Sequence, residues 1–155
     1  SLPSRGLGDV YKRQNEFFKL DGMTKNVLKN GEIVTHITLP DDISEWKGDY
    51  QKLRQRESWD FPEAGVAVTW KMGTDGPSEL RVATTGLESV PSLHIEEATR
   101  ALEDWNGKES VASLSESIRK SVKPVLNTWF PPSYRRKMVK VLTRRACRGI
   151  LEEQP

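Results

Sequence analysis

The chain has 155 residues, 35% of them hydrophobic and 30% charged, with a formal net charge of +2. That size and balance suit one soluble domain, with room for a short piece of a neighbour, and exclude a disordered tail. Near-neutrality gives no whole-chain pull toward nucleic acid or an anionic membrane, and no apolar run approaches the about 18 residues needed to span a bilayer.

The first fourteen residues, from Ser1 to Gln14, have no helical or strand period. They resemble translated linker read-through at the end of a gene fragment, so they are expected to be non-native and the natural protein to be longer. Asn30-Gly31 is a turn signal. After it, Glu32 to Pro40 is predicted to be a strand, with Ile33, Ile37 and Leu39 on one face. A polar connection over 41–49 leads to Tyr50–Glu57, whose period fits strand and helix equally.

From Ala64 the alternation is clear. Ala64, Val66, Val68, Trp70 and Met72 share one face of a predicted strand. The 73–77 loop carries an Asp75-Gly76 turn signal, and Glu79–Leu87 is predicted to return as the antiparallel partner. Three helices follow. The first is capped by Ser92 with a stripe of Ile95, Ala98, Leu102 and Trp105, and ends near Asn106-Gly107. The second turns Val111, Leu114 and Ile118 inward and stops at Pro124. The third starts at Pro131-Pro132-Ser133 and keeps Tyr134, Met138, Val141, Leu142, Ala146 and Ile150 on one side. Strands first and helices after predict an α+β domain, an antiparallel sheet of about three strands with about three helices on one face.

Chemistry-bearing residues are sparse. Cys147 is the single cysteine, which excludes an internal disulfide and points to a reducing, cytoplasmic compartment. One thiol cannot ligate an iron–sulfur cluster, and His36 and His94 lack the Cys or His neighbours of a zinc site. Any redox centre is therefore an organic cofactor, or it belongs to a partner. Cys147 has two readings, a thiol activated by Arg148 or a buried small residue. The basic run Arg135, Arg136, Lys137, Lys140, Arg144, Arg145 and Arg148 reads as a solvated helix face, a docking face for an acidic partner, or a nucleic-acid contact. Trp59, beside Asp60 in a polar irregular stretch, has two readings, a cover for a cofactor ring or an ordinary loop aromatic. No acid–base pair or nucleophile set stands out by spacing.

The ordered series of motifs carries a resemblance. Asn30-Gly31-Glu32-Ile33 through Leu39-Pro40 is similar to the end of the flavin-binding domain in the FAD-binding medium subunits of molybdenum hydroxylases, the carbon monoxide dehydrogenase and xanthine dehydrogenase type. Tyr50 through Pro62, with Lys52, Arg54, Arg56 and Asp60-Phe61, resembles the opening of that family's C-terminal domain. Gly65-Val66-Ala67-Val68, then Leu80 through Pro91, then Ser133-Tyr134-Arg135-Arg136 with Val141 through Ala146, follow in family order. The resemblance implies residues 15–40 as the end of the FAD-binding domain and 50–155 as the carbon monoxide dehydrogenase flavoprotein C-terminal domain.

It also implies a cofactor contact at Phe61, with Asp60 its motif neighbour. Arg56 is implied to face the flavin or to pair with acids at the domain seam. Ser78 stands where some members have a flavin-side lysine. The glycine-rich stretches that hold the pyrophosphate are absent from residues 15–40. By resemblance, FAD would pass electrons from 2Fe-2S clusters to an external acceptor. The molybdenum cofactor would sit on a large subunit and the clusters on a small one, and the isolated fragment would be inactive. The competing readings are a subunit-interaction module without flavin, or a nucleic-acid binder through the basic helix.

Overall fold

In a computed structural model, the described residues are 14–153 apart from 22 and 58; the predicted linker over 1–14 lies almost wholly outside them. A short helix, α1 (Gln14–Phe17), and a lone bridge between Phe18 and Asn26 open the chain. Among the described residues, four strands make one antiparallel meander: β1 (Lys47–Leu53), β2 (Ala64–Met72), β3 (Pro77–Thr85) and β4 (Ser92–Leu93), in that order across the sheet. Four further helices follow: α2 (Ile95–Glu103), α3 (Lys108–Ser121), α4 (Pro132–Ala146) and the short α5 (Arg148–Glu152). The α+β class holds, with one strand more than expected because β4 is only two residues long.

The core forms where strand and helix periods meet. Period-two alternation puts Ala64, Val66, Val68 and Trp70 of β2 on one face, and all are buried. They meet Leu80 and Val82 of β3, with Trp70 opposite Leu80 and Val68 opposite Val82 in the register. α4 packs across β1 and β2, α2 packs on β3, and α3 lies between those two helices. Val111, Leu114 and Ile118 of α3 are buried, as their spacing predicts.

Four expectations are corrected. Residues 32–40 form no strand, and Ile33, Val34, Ile37 and Leu39 are all exposed. A strand needs a neighbour to take its N–H and C=O groups, and this stretch pairs with nothing among the described residues. The turn before it does form, with Glu32 N–H donating to Lys29 O at 3.0 Å and Gly31 at φ +87°.

Second, Ser92 belongs to β4, and the residue before α2 is His94, whose side chain makes no capping bond. α2 therefore buries Ala98 and Ala101 while Ile95 is exposed. Third, the buried stripe of α4 is Arg135, Val139, Leu142, Thr143 and Ala146, rotated from the predicted one; Tyr134 and Val141 are exposed. Fourth, the last helix is broken at Cys147 rather than running on to Ile150. The undecided stretch from Tyr50 resolves as strand to Leu53 and irregular beyond it.

The sheet face turned away from the helices is partly covered by residues 42–46. A 3-10 turn over Ile43–Glu45 sets Asp42 and Glu45 against Lys71 Nζ at 2.6 and 2.9 Å. The Arg81 guanidinium lies 3.9 Å from the centre of the Trp46 ring.

Candidate functional site

Three connections meet at one end of the sheet: β1 to β2 (54–63), β3 to β4 (86–91) and α3 to α4 (122–131). The first contains every residue singled out for cofactor contact. Its neck is closed by the Glu63 N–H donating to Leu53 O at 2.8 Å.

Within the loop, Asp60 is the organiser. Its Oδ2 accepts from the backbone N–H of Gln55 at 2.9 Å and of Arg56 at 2.8 Å. Its Oδ1 accepts from the Phe61 N–H at 3.1 Å and from Arg56 Nη2 at 3.3 Å. Lys52 Nζ donates to the Asp60 carbonyl. Donors around a carboxylate favour its charged form. The Arg56 and Gln55 amides, helped by the Arg56 guanidinium, hold the Asp60 carboxyl below its usual range. Asp60 is thus spent on the loop itself, and its two neighbours are what the loop presents outward.

Trp59 is 98% exposed and Phe61 90%. Trp59 also has φ +38°, the left-handed region that a bulky side chain rarely adopts. Arg56 is mostly in solvent and reaches back to Asp60 and to Trp59 O at 3.4 Å. It pairs with an acid of its own loop. Ser78 is not gathered here: it lies at the opposite end of β3, about 23 Å along the strand from Thr85. There its hydroxyl donates to Lys71 O at 3.3 Å.

Arg135 is the residue that sequence reasoning missed. Placed with the solvated basic run, it is instead fully buried. Its Nε donates to Glu63 O at 2.7 Å, and its Nη1 to Val125 O at 2.7 Å and Asn127 Oδ1 at 3.2 Å. Nη2 donates to Gly86 O. One guanidinium therefore ties all three connections together, using the fork of donors that only arginine offers. The Glu63 carboxylate, itself buried, lies 3.8 Å from Nε and supplies the opposite charge. Burial pulls the guanidinium's pKa down while Glu63 opposes the shift. The signal was present in the spacing, because Arg135, Val139, Leu142 and Ala146 recur at intervals of four, three and four.

The same junction explains Gly86. It has φ +73°, and a Cβ there would stand 2.5 Å from Pro62 O. Only glycine lets the β3–β4 corner close against the first loop.

Elsewhere, His94 is buried. Its Nε2 lies 2.9 Å from Thr84 Oγ1 and its Nδ1 3.2 Å from Ser121 Oγ. The tautomer of the ring sets the direction of both bonds. Burial lowers the pKa of His94 against the pull of Glu97 and Glu88. Cys147 is buried, and burial pushes its thiol up to about 12, which removes the activated reading. Among the described residues no cluster of three His, Cys, Asp or Glu side chains could hold a metal ion. No helix among them is long and apolar enough to cross a membrane.

No family model matches the chain. In sequence it is 25% identical, over 87% of its length, to the glyceraldehyde dehydrogenase medium chain of Sulfolobus acidocaldarius. It covers 47% of that protein, about half the length of the curated relative.

Solved structures agree on the fold. Carbon monoxide dehydrogenase from Hydrogenophaga pseudoflava superposes with a TM-score of 0.63 over 72% of this chain and 39% of that one, at 22% identity. Carbon monoxide dehydrogenase from Oligotropha carboxidovorans gives 0.60 over 70% and 38%, at 21% identity. Quinoline 2-oxidoreductase from Pseudomonas putida 86 gives 0.61 over 70% and 37%, at 15% identity.

Proposed function

We propose that the chain is part of the FAD-binding subunit of a molybdenum hydroxylase, and that the 54–63 loop forms one wall around the flavin ring. The observation that carries this reading is the pairing of two nearly fully exposed aromatics, Trp59 and Phe61, with a loop clamped from inside by Asp60. Single exposed apolar side chains are ordinary, but two large aromatics bare on one short, internally clamped loop make the kind of patch that marks a ligand or partner site. A planar ring laid on Phe61 or Trp59 recovers that surface.

The residues fit one wall of such a site. Phe61 and Trp59 would meet the ring, and Asp60 would set their position. Arg56, charged and mostly solvent-facing, would add positive potential beside an anionic cofactor. The pyrophosphate would be held outside residues 15–40, which have no glycine-rich stretch. When bound, FAD takes electrons from iron–sulfur clusters and gives them to an external acceptor. The protein's part is to orient the ring and shield it. The partners in this reading are a molybdenum-cofactor large subunit and an iron–sulfur small subunit, and nucleic acid is not among them.

The test is flavin content. The complete subunit containing this chain should purify with bound FAD, seen by absorbance and fluorescence, and Phe61→Ala should lower the bound fraction or change the flavin's emission. A complete subunit without flavin would defeat the reading and favour a pure interaction module.

A further inference from the structure

The exposed apolar surface at the loop end does not stop at Phe61. The α3–α4 connection carries Leu126 and Trp129, 81% and 87% exposed. This connection is not free to drift. Val125 N–H donates to Leu87 O at 2.9 Å, Lys123 N–H donates to Glu88 Oε1 at 3.0 Å, and Val125 O and Asn127 Oδ1 are held by Arg135. The guanidinium that grips Val125 also grips Glu63, two residues from Phe61. The two aromatic-bearing loops are therefore registered to each other through one buried group.

Trp59, Phe61, Leu126 and Trp129 together expose on the order of 600 Å² of apolar surface, the upper end of what a monomer's largest patch presents, and patches of that size are often functional. The backbone at Trp59 is held in a conformation that costs free energy, as functional loops often are. The charges left outward around this surface are mainly positive. Arg54, Arg56 and Lys123 are exposed against Glu57 and the half-buried Glu88, while Asp60 and Glu63 are turned in and bonded. An exposed apolar surface with a basic rim suits a planar ring carrying an anionic tail.

Building on the flavin reading above, we propose that the α3–α4 connection is the second half of the same wall. Leu126 and Trp129 contact the planar cofactor from across Arg135, and Arg135 is the positioning residue that aligns the two halves.

The test uses the complete, flavin-loaded subunit in its complex, with single substitutions Trp129→Ala, Leu126→Ala and Phe61→Ala. All three side chains are exposed, so folding is not at stake. The readouts are the FAD-to-protein ratio, iodide quenching of flavin fluorescence, and sedimentation. Trp129→Ala and Leu126→Ala should each raise the iodide quenching constant at least about two-fold, as Phe61→Ala should, by uncovering the ring. If Phe61→Ala changes the flavin and the other two do not, the inference falls while the flavin wall stands. If the wild-type complex holds no flavin, or Phe61→Ala leaves it untouched, the underlying reading falls and takes the inference with it. Should Trp129→Ala or Leu126→Ala dissociate the complex with the flavin unchanged, the surface is a protein contact and the inference is overturned.

Discussion

Replacing Arg135 by methionine tests the architecture of the loop end most directly. The side chain donates to the carbonyls of Glu63, Val125 and Gly86 and to Asn127 Oδ1. Methionine fills much of the volume but donates nothing. The buried Glu63 carboxylate, whose Oε2 already lacks a hydrogen-bond partner, would also lose its countercharge. Breaking a buried pair by removing one member costs about 3–5 kcal/mol, because the other charge is left uncompensated. That is a large share of the 5–15 kcal/mol that typically holds a domain together. With a urea m-value of about 2 kcal/mol/M, the unfolding midpoint should fall by about 1.5–2.5 M. Arg135→Lys should lose less, since it keeps the charge but not the fork. Adding Glu63→Gln to the methionine variant should recover part of the loss. A midpoint shift below about 0.5 M for Arg135→Met would refute the reasoning, because it would mean that the carbonyls find other partners at little cost.

Two further outcomes follow from local geometry. The Asp60 carboxyl is held below the usual carboxylate range, so the stability it contributes is present above that range and is lost as pH falls through the lower folded value. The protection factors of the Gln55 and Arg56 amides, taken against the intrinsic exchange rate at each pH, should therefore hold at neutral pH and collapse under strong acid, and Asp60→Asn should show the reduced protection at neutral pH. Cys147, buried with its thiol pushed up to about 12, should resist a thiol reagent at pH 8 in the folded protein and react fully in denaturant; rapid labelling of native protein would contradict its burial.

Much of this protein was legible in order of residues. The alternation from Ala64 to Met72, the Asp75-Gly76 turn and the returning strand required only period two and a turn signal, and they are where local pattern and tertiary packing ask for the same thing. The same is true of Val111, Leu114 and Ile118. The loop that carries Asp60 and Phe61 was found through its motif series, and the outward display of Trp59 agrees with its polar surroundings.

What local pattern could not supply were matters of partnership. Residues 32–40 have strand-like composition, yet a strand exists only when a neighbour takes its hydrogen bonds, and no spacing reveals whether one is there. Ser92 has good capping chemistry, but two ladder pairs to β3 claimed it first. Arg135 shows the limit most sharply. A cation in a basic run reads as a solvated residue until three distant loops bring their carbonyls to it, and then burial becomes favourable because each of its three nitrogens is bonded. The sequence by itself determined the hairpin, the helix periods and the motif loop, since each depends on neighbours within a few positions. Only the tertiary structure decided that this loop, the Gly86 corner and the α3–α4 connection share one buried guanidinium, because that depends on residues 49 and 72 positions away in the chain.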